Sequence, residues 1–343
     1  VTAETSRPLR VGIIGAGNIA QNHARGYQAA GCEIVALADP SQAALDRRSA
    51  EWRVPAVFTD YRDLLAVPEI DAVSVSTPNA VHGPATIAAA AAGKHVLCEK
   101  PVSLSLEEGA AMIEACRAAG VVLQVNHHLR ANAAVMRVRE MLDAGTLGRI
   151  TFIRLRQAHD WGGSPEVPPT FRTAALAGGG TLLDNGCHLF DLANHFGGPV
   201  ADVFARAATL KFEAEVEDTA TASLRFASGA LGEVETQWTA TGWEMSFAVY
   251  GTDGALEYSD RGGRPVLRWF HRGGGATGWA EPEIQAWEGG TGQDHTRAVA
   301  AFVRAVTGQG PVICTGQDGV DAVRVALAAY ASVPAGRPVA VSG

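Results

Sequence analysis

The chain has 343 residues, of which 47% are hydrophobic and 19% charged, with a formal net charge of −8. That length suits two domains with separate cores, and the composition is that of an ordinary soluble globular protein. An acidic balance without a basic block argues against nucleic acid as a partner, and no apolar run reaches the roughly 18 residues of a membrane span. The first ten residues are polar and lack the apolar core of a signal peptide. The five cysteines (Cys32, Cys98, Cys116, Cys187, Cys314) are odd in number and contain no C-x-x-C pair. That pattern fits reduced thiols and predicts a cytoplasmic protein.

Leu9 to Ile14 reads as a strand. It runs into Gly15-Ala16-Gly17-Asn18-Ile19-Ala20, and a helical pattern follows to about Ala30. This is G-x-G-x-x-A in a strand–turn–helix setting: Gly15 for the tight turn, Gly17 for close approach of a pyrophosphate, Ala20 for helix–strand contact. Backbone N–H groups and the helix dipole would receive the phosphate charge. Asn18 and Ile19 join the two glycines as expected cofactor contacts. A second strand, Glu33 to Ala38, ends in Asp39, 22 residues after Gly17. A carboxylate there suits an adenosine ribose and repels a 2′-phosphate, and no arginine follows until Arg47, so NAD is expected rather than NADP. The plainer reading of Asp39 is a helix-start or turn aspartate before Pro40.

Asp71 to Val75 is the next strand, closed by Ser76-Thr77-Pro78-Asn79 before a helix from about Ala80 to Ala92. At a strand's carboxyl end, Ser76, Thr77, Pro78, Asn79 and, in the helix, His82 are candidates for the cofactor's ribose and nicotinamide. An ordinary Pro-Asn turn is the alternative. His95 to Cys98 is a short buried strand ending in Glu99-Lys100-Pro101, where proline stops the strand and biases Lys100 away from helix. Among 28 basic residues only Lys94, Lys100 and Lys211 are lysine. An amine can shift its pKa where a guanidinium effectively cannot, so Lys100 is a candidate for chemistry, with Glu99 beside it on the cofactor side; a surface lysine at a strand end is the alternative. A helix from Ser105 carries Glu108 as capping-box partner, and Val121 to Val125 is a further strand. The alternation predicts a doubly wound parallel sheet over residues 1–125, a dinucleotide-binding domain.

Residues 126–343 have a different texture. Asn126-His127-His128-Leu129-Arg130 leads into a helix to about Ala144. Alternating segments follow at Ile150 to Gln157, Val200 to Lys211, Thr219 to Phe226, Leu231 to Trp238 and Glu244 to Tyr250. They read as an antiparallel, half-buried sheet in a second domain. Loops at Asp160 to Thr170 and His271 to Gly292 interrupt it. A closing helix, about Gln317 to Tyr330, and a short strand, Pro338 to Val341, are expected to return to the body and pack on the first domain.

One helix in this half carries a constellation: Gly178-Gly179-Gly180 followed by Asp184, His188 and Asp191. Asp184 and His188 share a helix face one turn apart, and a carboxylate beside an imidazole orients it and raises its proton affinity. The glycines would let a substrate or a loop approach the backbone. Metal ligation by Asp184, His188 and Asp191 finds no support in further His/Cys spacing. A helix-stabilising ion pair and proton chemistry both fit.

Taken together, these motifs resemble the glucose–fructose oxidoreductase / inositol dehydrogenase / rhizopine catabolism (Gfo/Idh/MocA) family over nearly the whole chain. Glu99-Lys100-Pro101 behind Gly93-Lys94-His95-Val96, and Gly178-Gly179-Gly180 ahead of Asp184-x-Gly186-x-His188, are its specific marks. The resemblance implies an N-terminal Rossmann domain, a C-terminal α+β domain with a large, mostly antiparallel open sheet for substrate binding and for dimers or tetramers, and Lys100, Asp184 and His188 meeting beside nicotinamide and substrate. It implies a hydride passed between NAD and a sugar or cyclitol carbinol, with His188 as base, Lys100 steadying the alkoxide and Asp184 holding a neighbouring hydroxyl. Asn126, His127, His128, Asp160, Trp161 and Arg172 are candidate substrate contacts, with a structural role as turn, cap or core the equal alternative; no metal is expected, and the partner is a small polyol or sugar rather than nucleic acid or membrane. An NAD-using glycosidase or lyase, and a non-catalytic NAD-binding regulator, are the competing functions.

Overall fold

A computed structural model of the chain describes residues 7–160, 167, 169–271, 279–280 and 293–342. Two compact units emerge. One ends at His128 and is completed by Gln293–Gln317; the other begins at Leu129 and takes the chain again from Asp318.

The first unit is a six-stranded parallel sheet of β1 (Arg10–Ile14), β2 (Glu33–Ala38), β3 (Ala56–Phe58), β4 (Ala72–Val75), β5 (His95–Cys98) and β6 (Leu123–Val125), in the order β3-β2-β1-β4-β5-β6. The order reverses direction between β1 and β4, so a crevice opens at their carboxyl ends, where doubly wound sheets take ligands. Helices α1 (Asn18–Ala29), α2 (Gln42–Trp52), α3 (Tyr61–Leu65), α4 (His82–Ala91) and α5 (Leu106–Ala119) connect the strands. The capping box forms with a one-residue offset. Ser105 Oγ accepts from Glu108 N at 3.1 Å, while the Glu108 carboxylate returns to the N–H of Leu104, also at 3.1 Å.

Strand β3, at the sheet edge, has three residues and is too short to show an alternating pattern in the sequence. The segment that completes the first unit also differs from the one expected. The helix Asp294–Val306 supplies Val299 and Phe302 to the core formed by Val11, Ile13, Ala24, Tyr27 and Leu37. The last helix, Gly316–Ala335, instead lies in the second unit from Asp318 on. The last strand pairs there too, as described below. Chain order hides this, because a buried helix face does not name its partner.

The second unit opens with α6 (Ala133–Asp143) and then β7 (Ile150–Ala158), followed by α7 (Ala174–Ala177) and α8 (Thr181–Gly197). The strands β8 (Val200–Ala208), β9 (Thr219–Phe226), β10 (Leu231–Gln237), β11 (Glu244–Gly251), β12 (Gly254–Arg261), β13 (Arg264–His271), β14 (Trp279–Ala280) and β15 (Val339–Ala340) join β7 in a nine-stranded sheet. Its order is β14-β13-β12-β11-β7-β10-β9-β8-β15, antiparallel except for the β7–β10 pair. The last strand, expected on the first domain, extends the β8 edge of this sheet instead. The hairpin β12–β13 escaped the reading although its Gly262-Gly263 turn has φ of 60° and 75°, the left-handed pair a tight hairpin needs.

Helix α8 covers one face of this sheet, packing on β7, β8, β9 and β10. Ile153, Leu155, Val234 and Thr236 point towards it and are buried, while Arg154, Arg156, Glu233 and Glu235 alternate to the other face. Every residue from Thr181 to Ala193 is buried, an unusual state for a stretch that contains two aspartates, an asparagine and a histidine.

Candidate functional site

In the first unit the glycine-rich turn has the geometry its spacing predicts. Gly15 has φ of 99°, and a Cβ there would lie 2.3 Å from the Ser76 carbonyl oxygen, so only glycine fits under the β4 turn. A Cβ at Gly17 would meet nothing within 4 Å. Gly17 is also the N-cap of α1, without a side-chain cap and without an acidic residue in the first turn. The helix therefore presents its N–H groups and positive end to open space. Asp39 braces this turn: its Oδ2 accepts from Ala16 N and its Oδ1 from Ser41 N, both at 2.8 Å. It caps no helix, since Ser41 caps α2. A second lone pair on each oxygen remains for a diol. An anionic dinucleotide fits this cradle: an uncapped helix start for its phosphates and a carboxylate at the next strand end for a ribose.

The β4 turn is pinned. Ser76 Oγ donates to the carbonyls of Ile14 and Gly15 at 3.1 and 3.2 Å. Thr77 and Pro78 are accessible, and Asn79 opens a short 3-10 turn that delays α4 to His82. His82 was expected on the cofactor. It is instead fully buried, with Nδ1 2.7 Å from the Pro101 carbonyl and Nε2 3.0 Å from that of Thr77. Burial lowers its pKa, despite help from both carbonyls and Glu99. Its ring fills the space between the β4 and β5 turns and donates to one of the two carbonyls.

Of the three lysines, two have structural uses. Lys94 Nζ donates to the carbonyls of Ile70, Val67 and Pro68 at 2.7, 3.1 and 3.4 Å, a triple bond set that suits an ammonium. Lys211 lies over the Phe212 ring at 5.1 Å. Lys100, half-buried at the end of β5, precedes a cis bond to Pro101. Glu99 is buried, and its carboxylate faces inwards to His23 and Asn126. Asn126 and His127, expected as substrate contacts, have no solvent exposure, and the Asn126 amide is spent on Glu99. The His128 ring stacks on His295 with centroids 3.7 Å apart.

In the second unit the glycine triplet admits protein rather than substrate. A Cβ on Gly179 would lie 2.2 Å from the Tyr330 hydroxyl, and one on Gly180 would lie 1.9 Å from the Glu217 carbonyl. The Glu217 carboxylate in turn accepts from Gly180 N at 3.1 Å, Leu182 N at 2.8 Å and Tyr330 OH at 2.8 Å, so it caps α8 from another loop. One turn further on, Asp184 is 8% and His188 3% exposed. Asp184 Oδ2 accepts from Trp238 Nε1 at 3.1 Å. Asn185 Oδ1 meets His159 Nε2 at 3.0 Å, and the His159 ring lies parallel to Trp243, centroids 5.7 Å apart. Trp243 is 38% exposed, a large flat apolar surface beside a polar helix face.

Asp191 is held by an arginine. Arg130 grips it with Nε at 2.9 Å and a terminal nitrogen at 2.7 Å, and also reaches Asp318 at 3.2 Å. Arg172 lies over the Phe212 ring at 5.8 Å, beside a 510 Å³ hollow lined by Val167, Pro169, Glu213 and Glu215. Asp160 is exposed at the end of β7, and Trp161 falls outside the described residues. Sequence reasoning missed His23, His159, Trp238 and Trp243. None belongs to a motif, and each acts through a partner distant in the chain.

Residues 9–127 match the family model described as "Oxidoreductase family, NAD-binding Rossmann fold" (GFO_IDH_MocA), and residues 135–257 match the "GFO/IDH/MocA C-terminal domain". A 1,5-anhydro-D-fructose reductase of Ensifer adhaerens is 34% identical, over 96% of this chain and 97% of that protein. A myo-inositol 2-dehydrogenase of Thermotoga maritima is 28% identical, over 96% and 98%. A solved levoglucosan dehydrogenase in complex with NADH and levoglucosan has a TM-score of 0.89 at 26% identity, covering 98% of this chain and all of that one.

Proposed function

This chain belongs to the GFO/IDH/MocA family of oxidoreductases, and we propose that it is an NAD-dependent dehydrogenase moving a hydride between nicotinamide and a secondary carbinol, or its ketone, of a sugar, sugar derivative or cyclitol. The observation that carries this reading is the uncapped, acid-free start of α1 at Gly17, with Asp39 at the neighbouring strand end. The first unit is the cofactor domain and the second the substrate domain. Gly15, Gly17, Asn18 and Ile19 bind the pyrophosphate, Asp39 takes the adenosine ribose, and the Ser76–Asn79 turn borders the nicotinamide side.

Nicotinamide, when bound, supplies the hydride acceptor or donor. The protein supplies position and charge. Lys100 donates a hydrogen bond to the substrate oxygen and stabilises the negative charge that develops there. His188 takes the hydroxyl proton as general base. Asp184, oriented by Trp238, accepts from a neighbouring hydroxyl. Trp243, supported by His159, offers its face to the C–H side of a sugar ring.

No helix among the described residues is long and apolar enough to cross a membrane. All five cysteines are free, which supports a reducing, cytoplasmic setting. The sheet face away from α8 carries arginines and glutamates of both signs around a hollow of about 730 Å³ and suits a second copy of the chain in a homodimer or homotetramer.

The test is a screen of inositols, aldoses and sugar acids with NAD⁺ and NADP⁺, read by the absorbance of the reduced nucleotide. Net accumulation of NADH with a free polyol is expected. Lys100→Ala and His188→Ala should each cut turnover by about a hundredfold or more while NADH binding persists. Glycoside cleavage without net NADH would instead assign a hydrolase.

A further inference from the structure

Behind the Glu99-Lys100-Pro101 turn runs a row of buried polar groups that neither cofactor nor substrate contact explains. Tyr27 and His23 come from α1, Ser74 stands inside β4, and Glu99 follows β5; none of the four exceeds 4% exposure. The Tyr27 hydroxyl is 2.9 Å from Ser74 Oγ, Ser74 Oγ is 2.8 Å from His23 Nδ1, and His23 Nε2 is 2.7 Å from Glu99 Oε1. Asn126 Nδ2 also donates to Oε1, at 2.5 Å. The other oxygen, Oε2, accepts from the backbone N–H of Lys100 at 3.2 Å.

Chemistry orders the protons along this row. Burial works against ionising Glu99, but the hydrogen bonds from His23 and Asn126 hold its pKa well below the usual carboxylate range. A carboxylate only accepts, so His23 Nε2 donates to it. Burial pushes the Tyr27 phenol far above its ordinary pKa, so it keeps its proton and donates to Ser74. Ser74 then donates to Nδ1. A single ring proton, at Nε2, satisfies every group in the row. Ser74, His23 and Glu99 superficially resemble a nucleophile relay, but Ser74 lies inside a central strand with no exposure and can reach no substrate.

We propose that His23 is a positioning residue for Lys100: it holds the Glu99 carboxylate in place and ionised, which hangs the Lys100 amide on that carboxylate and keeps a fixed negative charge one residue from the Lys100 amine. The functional weight of this rests on Lys100 being the amine that stabilises the substrate oxygen. The charged and titratable groups around Glu99 are His23 on α1, His82 on α4, Cys98 and Lys100 on either side, His128, and His295 on the returning helix.

The presence of only three lysines makes the coupling measurable on the free, full-length chain. Reductive methylation with ¹³C-formaldehyde labels each amine, Lys94→Arg and Lys211→Arg assign the signals, and the Lys100 methyl resonance is titrated with pH. In His23→Met the Lys100 titration should move down by about one pH unit or more, because a buried neighbouring negative charge is lost or displaced. His23→Gln still offers an N–H to Glu99 and should stay within about 0.3 unit of wild type. Glu99→Gln, nearly isosteric, should reproduce the downward move and serves if His23→Met does not fold. An unmoved Lys100 titration in Glu99→Gln, or in folded His23→Met, overturns the proposal. So does His23→Gln moving as far as His23→Met. Nothing in this readout depends on turnover, so an error in assigning Lys100 to catalysis would surface separately, as normal turnover by Lys100→Ala.

Discussion

Trp238 donates its indole N–H to Asp184 across 3.1 Å in a setting where both side chains are buried. The donor comes from the end of β10 and the acceptor from the first turn of α8, so a strand end sets the direction of a helix carboxylate. Trp238→Phe keeps the ring and removes the N–H. Hydrogen bonds to charged groups contribute about 1.5–3 kcal/mol, so kcat/KM for the polyol should fall by about tenfold or more. KM for NAD⁺ should stay unchanged. Steady-state kinetics with each reactant varied separates the two effects.

Asp39 braces Ala16 and Ser41, and in the proposed function it also takes the ribose diol. Asp39→Asn removes the charge with little change of shape. KM for NAD⁺ is expected to rise about tenfold, and the NADP⁺/NAD⁺ ratio of kcat/KM to increase, because the 2′-phosphate no longer meets a carboxylate. A ratio that stays put would assign Asp39 to bracing alone.

Two glycines offer a paired test of stability against binding. Gly180→Ala drives a methyl into the Glu217 carbonyl and should lower Tm by roughly 5 °C or more in a thermal melt. Gly17→Ala meets open space, so the free protein should melt normally. Its methyl would occupy the phosphate approach, and NADH affinity, read by fluorescence titration, should drop about tenfold or more.

His295 has its pKa pushed down to about 4, chiefly by burial, and His128 moves the same way. The fold accepts the neutral ring, whereas the unfolded chain takes up a proton near the ordinary value of 6.5. Stability is therefore full above about pH 6.5 and is lost as pH falls towards 4. His295→Gln should flatten that part of a Tm-against-pH curve, while leaving the plateau at neutral pH close to wild type.

The parallel half was legible almost strand by strand. Strand β5 was found with its exact residues because apolar runs bounded by Gly, Lys and Pro punctuate a βα repeat clearly. The glycine turn, Asp39, Lys100 and the Asp184–His188 pair were visible for the same reason: each is a local pattern. What escaped is non-local. Nothing near Gly180 says that Glu217 will cap its helix, and nothing near His23 says that it will meet Glu99, 76 residues away. His82 and Asn126 were misplaced because a polar residue at a strand end can face a ligand or the interior, and only packing decides.

The core of the cofactor domain is closed by residues made late. Gly26 packs directly on Val299, and the Tyr27 ring meets Phe302 edge-on at 6.5 Å. During translation, then, the nascent dinucleotide fold must wait, incomplete, while the ribosome makes residues 129–292, which separate its two parts. Its apolar flank stays available to chaperones for that interval, and a gene fragment stopping before residue 293 would encode a nucleotide-binding module missing its final wall.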